Sequence, residues 1–213
     1  MQLYSFFRSS ASFRVRIALN FKGLPFEYIP VPLTKGGGQQ FTADFKAINP
    51  ASLVPVLVDD GQVLTQSLAI IEYLEEIHPA PPLLPKTALE RARVRAISLA
   101  IACEIHPLNN LRVLGYLSKT LEVSAEEKNA WYRHWVETGL AAVEAMLDSR
   151  TGRFCHGDMP TLADVVLVPQ IFNAQRFDCD LTKVPKVMAI FERCLQLPAF
   201  ADAVPAKQVD AVD

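Results

Sequence analysis

Four prolines within the seven residues Pro79-Ala80-Pro81-Pro82-Leu83-Leu84-Pro85 divide this chain. A proline lacks the backbone donor that a helix or central strand requires and holds φ at about −65°, so neither element runs through such a segment. The two sides of it differ. Before it, short apolar runs alternate with amphipathic stretches; after it, apolar residues recur at three- and four-residue steps. The seam predicts a domain over 1–80 and a second over 87–213.

The first part reads as an α/β unit. Leu3 to Phe7 is a short aromatic-rich strand. Ser9-Ser10 precede a helix that keeps Val15, Ala18, Leu19 and Phe21 on one side and stops at Gly23, with Pro25 beyond. Phe26 to Val31 is a second strand, so this strand–helix–strand unit calls for a parallel crossover. After Gly36-Gly37-Gly38 come a short helix around Phe41 to Lys46 and a strand, Val54 to Val58, that carries Pro55 at its start. Asp60-Gly61 is a hairpin turn leading to Val63-Leu64, and a helix begins at Ser67 with Ile70, Ile71, Leu74 and Ile77 on one face. The order is βαβ, then ββα.

The second part is all-helical. Val94, Ile97, Ile101, Ile105 and Leu108 form one stripe, Val136, Leu140, Val143 and Leu147 another, and Val187, Ile190, Phe191 and Cys194 a third. Pro107 and Pro169 fall inside helical text and are expected to kink their helices without ending them. Thr161 and Asp164 have capping-box spacing, a structural device.

Composition removes several function classes. With 21 basic against 23 acidic residues, a net charge of −2 and no long block of either sign, the chain is not a polybasic nucleic-acid or membrane-surface protein. Ala96 to Cys103 is far shorter than the roughly 18–20 residues of a membrane span. The first residues lack a basic leader, and Cys103, Cys155, Cys179 and Cys194 form no C-x-x-C pair, so a cytoplasmic location and no metal site are expected.

Arg8-Ser9-Ser10-Ala11-Ser12-Phe13-Arg14-Val15-Arg16 falls where a strand turns into a helix. Orphan backbone N–H groups and the positive helix end make that turn a site for an anion, a thiolate included. Serines there also serve as plain helix caps. The residues alone leave both readings open.

The stretch Ser9 to Leu19, SSASFRVRIAL, resembles the signature of zeta-class glutathione transferases, the family of the maleylacetoacetate isomerases. Gly37-Gly38-Gln39-Gln40-Phe41, Asn49-Pro50, Val54-Pro55 and Gln66-Ser67-Leu68-Ala69-Ile70-Ile71-Glu72-Tyr73-Leu74 continue the match. His106-Pro107-Leu108-Asn109-Asn110-Leu111, Val168-Pro169-Gln170 and Asn173-Ala174-Gln175-Arg176-Phe177 extend it through the helical half.

The resemblance implies a thioredoxin-like N-terminal domain followed by an all-helical glutathione-transferase C-terminal domain, with glutathione as cofactor. It implies a cis Val54-Pro55 bond beside the glutathione backbone and Gln66-Ser67 at the γ-glutamyl carboxylate. Gln40 would meet the glycine end, and the turn Ser9, Ser10, Ala11, Ser12, Phe13 and Arg14 would surround the sulfur, with Ser9 and Ser10 as catalytic hydroxyls. His106, Asn110, Leu111 and Arg112 match positions that approach the ligand from the helical half. Arg8, Arg112 and Arg176 match positions that face a diacid substrate. The family commonly has cysteine where this chain has Ala11 and tryptophan where it has Phe13, so Ala11 is expected to alter rate or redox sensitivity and leave the activity in place.

The implied reaction is conversion of a maleyl oxo-acid, maleylacetoacetate, to its fumaryl isomer by thiolate addition, bond rotation and elimination. Maleylpyruvate isomerisation, general transferase chemistry (conjugation, dehalogenation of small halo-acids, peroxide reduction) and a non-catalytic scaffold are the alternatives. The resemblance also implies a homodimer, for which an arginine face of Arg91, Arg93 and Arg95 on the first helix of the second half offers a surface.

Overall fold

The computed structural model describes residues 1–211, which form two compact units parting between Pro82 and Leu83. In the first unit, strand β1 (Gln2–Ser5) pairs in parallel with β2 (Glu27–Pro30), Leu3 opposite Tyr28. Between them lies helix α1 (Ser10–Phe21), the expected crossover. Helix α2 (Ala43–Ile48) follows, capped by Thr42, whose Oγ1 accepts from Phe45 N at 3.3 Å. Strand β3 (Val56–Asp59) runs antiparallel to β1 and to β4 (Gln62–Thr65), giving the order β2-β1-β3-β4. Asp60 and Gly61 both have positive φ, 46° and 76°, as a two-residue hairpin of this twist requires. Pro30 sits on β2 at the edge, where a missing donor costs no ladder bond.

Side-chain alternation gives the sheet two covered faces. Val56 packs with Val31, Val54 and Phe45 of α2, flanked by Tyr4 and Val58. Leu3 and Leu57, fully buried, belong to the other face. Helix α3 (Ser67–Ile77) packs against α1, and Val15, Ile17 and Leu19 are buried with Ile70, Ile71 and Leu74. Lys22, just past α1, reaches Glu75 Oε2 and the His78 carbonyl, each at 2.7 Å, and Pro81 O at 3.1 Å. One buried cation thus holds the end of α1, the end of α3 and the start of the proline seam together.

The second unit begins with α4 (Ala88–Leu99), opened by a Thr87–Glu90 capping box. The helix then widens into a π turn over Ala100–Ile105 and tightens into a 3-10 turn at His106–Asn109. Helices α5 (Leu111–Lys119), α6 (Ala125–Met146), α7 (Leu162–Arg176) and α8 (Pro185–Leu195) complete the unit. Every residue of α7 from Leu162 to Ile171 is buried, which makes it the centre of this unit's core. Gly139 of α6 sits where a Cβ would collide with the Ile105 side chain, so its missing side chain lets the π turn close on α6.

Four expectations are corrected. The strands are shorter: β1 stops at Ser5 and β3 starts at Val56, because Phe7 N–H and the cis Val54–Pro55 peptide are used outside the ladder. Pro107 ends its helix instead of kinking it, since a fresh helix starts at Leu111 under an Asn110 cap; Pro169 does stay inside α7. Arg91 and Arg95, four apart and half-buried, share a face of α4, but Arg93, two residues from each, points elsewhere and is buried. Arg93 is 9% exposed and donates to Cys155 O at 2.9 Å, Asp148 Oδ1 at 3.0 Å and Thr151 Oγ1 at 3.2 Å. Finally, the residues from Gln196 onward, including helix α9 (Pro198–Ala201), belong to the first unit, not to a domain over 87–213. Among its ties is Arg16, whose Nε and Nη2 donate to Ala203 O at 3.1 and 3.0 Å across 187 residues of sequence.

The Thr161–Asp164 pairing is structural. Asp164 Oδ2 accepts from Thr161 N at 2.7 Å, and Oδ1 accepts from Cys155 N at 2.8 Å. Burial pushes the Asp164 carboxyl up, and these bonds work against that shift. No described helix is long and apolar enough to cross a membrane.

Candidate active site

Strand register decides which segments of the first unit meet. Tyr4 pairs with Val56, and Val56 with Thr65, so these three residues lie in one row across the sheet. Immediately beyond that row come the turn after β1, the entry to β3 and the turn after β4. Arg8–Ser12, Val54–Pro55 and Gln66–Ser67 therefore gather at one end of the sheet, although the first and the last lie 54 to 59 positions apart in sequence.

Ser9 is the N-cap of α1. Its φ and ψ of −70° and 116° are extended, its N–H donates to Phe6 O at 2.9 Å, and its carbonyl accepts from Phe13 N at 2.8 Å. Ser9 Oγ accepts from Ser12 N at 3.2 Å. A hydroxyl carries one proton beside two lone pairs, so this cap leaves the proton available to an anion at the positive end of the helix. Capping by this atom is therefore compatible with the anion-binding reading. Within the turn, Arg8 is exposed and Ser9 and Ala11 are half-buried, whereas Ser10, Ser12, Phe13 and Arg14 are buried at 3%, 0%, 2% and 2% exposure. Only the first group faces solvent.

Arg14 acts at second hand. Its Nη1 donates to Ser67 Oγ at 3.3 Å, so the buried guanidinium links α1 to the first residue of α3. Gln66, just before, is exposed and adopts φ 67°, a left-handed conformation that only surrounding structure sustains in a non-glycine residue. Its side chain makes no capping bond, so the N-terminus of α3 keeps backbone donors for another acceptor.

The Val54–Pro55 bond is cis. Ahead of it, Asn49 braces the chain: Nδ2 donates to Leu53 O at 2.8 Å and Oδ1 accepts from Ala51 N at 3.1 Å. Gln40 is 5% exposed; its Nε2 donates to Leu33 O at 3.2 Å, and its Oε1 is buried with no partner. A buried, unmatched acceptor of this kind calls for a donor from outside the chain.

The remaining candidates lie in the second unit. Asn110 is the N-cap of α5, its Oδ1 accepting from Arg112 N at 3.1 Å, while Leu111 and the Arg112 side chain are exposed and His106 is half-buried. Arg176 lies 4.9 Å over the Phe177 ring, which stacks on Tyr132 at 3.7 Å, and Asn109 Nδ2 donates to Tyr132 O at 3.4 Å. One aromatic stack therefore ties Arg176 to the 106–110 turn. Arg8, in the first unit, lies 4.8 Å over Phe7.

Sequence reasoning missed the backing of the Ser9 turn. Asp210 Oδ2 accepts from Phe7 N at 3.1 Å and Oδ1 accepts from Tyr28 Oη at 2.6 Å. Arg16, 1% exposed, donates to Ser5 Oγ, Phe6 O and Phe7 O as well as to Ala203 O. Burial pulls its guanidinium down to about 10, against the pull of Tyr28 and Asp210. The only sequence signal was an arginine on the apolar side of α1. Among the described residues, no group of three or more His, Cys, Asp or Glu side chains could hold a metal ion.

Comparison with known proteins gives this geometry its context. Residues 8–77 match the glutathione S-transferase N-terminal domain and residues 114–198 the glutathione S-transferase C-terminal domain. A probable maleylacetoacetate isomerase of Vibrio cholerae is 51% identical over 98% of this chain and 97% of its own length. A holo maleylpyruvate isomerase, described as a bacterial zeta-class glutathione S-transferase, is 49% identical, with a TM-score of 0.97 over 100% of both chains. A maleylacetoacetate isomerase of Methylobacterium extorquens AM1, solved with bound malonate and glutathione, is 41% identical, with a TM-score of 0.95 and 100% coverage of both chains. The capped serine turn, the cis proline and the open start of α3 stand in a chain that belongs to the glutathione S-transferase family, in its zeta class.

Proposed function

We propose that this chain is a glutathione-dependent cis–trans isomerase acting on a maleyl oxo-acid, with maleylacetoacetate as substrate and its fumaryl isomer as product. The observation that carries the reading is Ser9 Oγ, which caps α1 through a lone pair and so can still donate its proton, at the end of the sheet shared by Val54–Pro55 and Gln66–Ser67.

The residues present fit glutathione. The unmatched Gln40 Oε1 suits a ligand N–H, the backbone at Val54 lies outside the strand ladder, and the start of α3 suits a carboxylate. When bound, glutathione supplies a thiol sulfur that adds reversibly to the cis double bond, which frees rotation and is followed by release of the unchanged cofactor. A free thiol ionises near pH 8.5, so the protein must favour the thiolate at neutral pH. Ser9 Oγ–H does so by donating a hydrogen bond, and the N-terminus of α1 adds its partial positive charge. Arg14 holds Ser67 in place for the carboxylate end. Ser10, buried at the first position of α1, supports the turn.

Arg8, Arg112 and Arg176, all exposed, are proposed to bind the two carboxylates of the diacid, which guanidinium forks suit. We further propose a cytoplasmic enzyme of aromatic amino acid breakdown that works as a homodimer. Leu89, 74% exposed, and Leu99, 46% exposed, lie with Ala92 and Ala96 on one open face of α4, an apolar stripe suited to a second copy.

The test is kcat/KM on maleylacetoacetate and maleylpyruvate, each with catalytic glutathione. Turnover with a constant concentration of free glutathione supports the isomerase, and the better substrate names the acid. Depletion of glutathione in step with product would establish conjugation instead. Glutathione binding without turnover on either acid would leave a scaffold.

A further inference from the structure

The candidate turn is anchored from the far end of the chain, by a contact none of the proposed roles uses. The peptide group joining Phe6 to Phe7 is a rigid plane with its carbonyl at one end and its N–H at the other. The carbonyl end, Phe6 O, accepts from Ser9 N at 2.9 Å. The N–H end, on Phe7, donates to Asp210 Oδ2 at 3.1 Å. A rotation of this plane that breaks one bond breaks the other. Asp210 is itself oriented, because its second oxygen accepts from the Tyr28 hydroxyl of β2 at 2.6 Å. Burial, and then the bond to Asp210, push the Tyr28 phenol up, so it stays a donor across the ordinary pH range. Arg16 adds the opposite charge, holding Phe6 O and Phe7 O from the inside and Ala203 O on the returning segment.

We infer that Asp210 is a positioning residue for the Ser9 turn: through the Phe6–Phe7 peptide it fixes the backbone of Ser9, and with it the direction in which the Ser9 hydroxyl proton is offered to a bound sulfur. The inference rests on the reading of Ser9 given above. It assigns to the segment after α9 a part in setting the reactivity of a site more than 190 residues earlier in the chain.

The experiment uses Asp210→Ala and Asp210→Asn in the full chain. Tyr73→Phe, which loses a 2.9 Å bond to Asp59 elsewhere in the same unit, is the stability control. Three quantities are read: the pKa of the bound glutathione thiol by ultraviolet titration, kcat and KM for glutathione separately, and hydrogen exchange at the Phe7 and Ser9 amides without ligand. Asp210→Ala is expected to raise the bound thiol's pKa by about one unit and to lower kcat about tenfold, the scale of one charge-assisted hydrogen bond. KM for glutathione stays within about threefold, because Gln66, Ser67 and Val54 are untouched. Asp210→Asn, which keeps an acceptor but no charge, falls between wild type and alanine. Phe7 and Ser9 amides lose protection together in both variants, and Tyr73→Phe moves none of these quantities.

A wild-type thiol pKa and wild-type paired protection in both variants overturn the inference. If the alanine variant does not fold, the asparagine variant decides by the same readings. If the wild-type protein binds glutathione as thiolate but isomerises neither acid, the proposed function fails, while the titration and exchange data still decide the role of Asp210.

Discussion

Arg14 Nη1 lies 3.3 Å from Ser67 Oγ, with both residues buried, so α1, one turn below its N-terminus, is joined to the first residue of α3. The bond sets the spacing between the sulfur end and the carboxylate end of the proposed ligand. Arg14→Lys replaces a fork by a single point donor. It is expected to weaken glutathione binding about tenfold by calorimetry, in line with loss of a charged hydrogen bond, with a smaller change in the thiol pKa.

Ser9→Ala removes both functions of one oxygen. Loss of the cap is expected to cost about 1 kcal/mol in denaturant unfolding. Loss of the donor is expected to cut turnover about 10²–10³-fold and raise the bound thiol's pKa, with glutathione affinity changing much less. An unchanged thiol pKa in this variant moves the role away from Ser9.

Arg8→Ala and Arg176→Ala test the diacid reading. Each is expected to raise KM for a maleyl diacid about tenfold or more, while turnover of a neutral electrophile with glutathione stays within a few-fold of wild type. Equal losses on both substrates show that the arginines serve the fold through Phe7 and Phe177, over whose rings they lie.

Acid stability has a local reporter in the second unit. Arg150 first, with Arg93 adding, holds the Asp148 carboxyl well below the usual carboxylate range. Its folded pKa lies under the unfolded value of about 4, so its stabilisation is complete above that pH and is lost as pH falls through the folded pKa. Asp148→Asn is expected to lower Tm at neutral pH and to flatten the decline of Tm below about pH 4. Salt narrows the gap, because Asp148 and Arg150 are solvent-exposed.

The homodimer proposal is checked by sedimentation at micromolar concentration, with an expected mass of about twice the chain's 23.6 kDa. Ala96→Glu, in the exposed stripe of α4, is expected to shift the mass toward the monomer. A wild-type monomer removes the proposal.

Legibility in the sequence followed the range of the interactions. The order of strands and helices was readable because Ile70, Ile71 and Leu74 or Val136, Leu140 and Val143 meet their partners by local period, and the Asp60-Gly61 turn by its residue types. The Ser9 turn was readable as a place, not as a geometry, since the same serine motif describes a cap and a thiol site and the structure shows the cap. Arg14 and Arg16 were indistinguishable by eye, yet one turns to Ser67 and the other to Ala203. Arg93 looked like surface because charge predicts exposure, and only its bonds to Cys155, Asp148 and Thr151 explain why it is buried. No local pattern announces a partner 187 or 203 residues away.

The return of the segment after Leu195 to the first unit has a consequence for synthesis. A ribosome delivers β1 and the serine turn first, and at roughly 5–20 residues per second it delivers Ala203 and Asp210 many seconds later. Until then Arg16 has no Ala203 carbonyl and the Phe6–Phe7 peptide has no Asp210 to hold it. The serine turn is therefore made well before the contacts that anchor it. Cutting the gene at the proline seam releases a fragment with its sheet intact in sequence and its serine turn without Ala203 and Asp210.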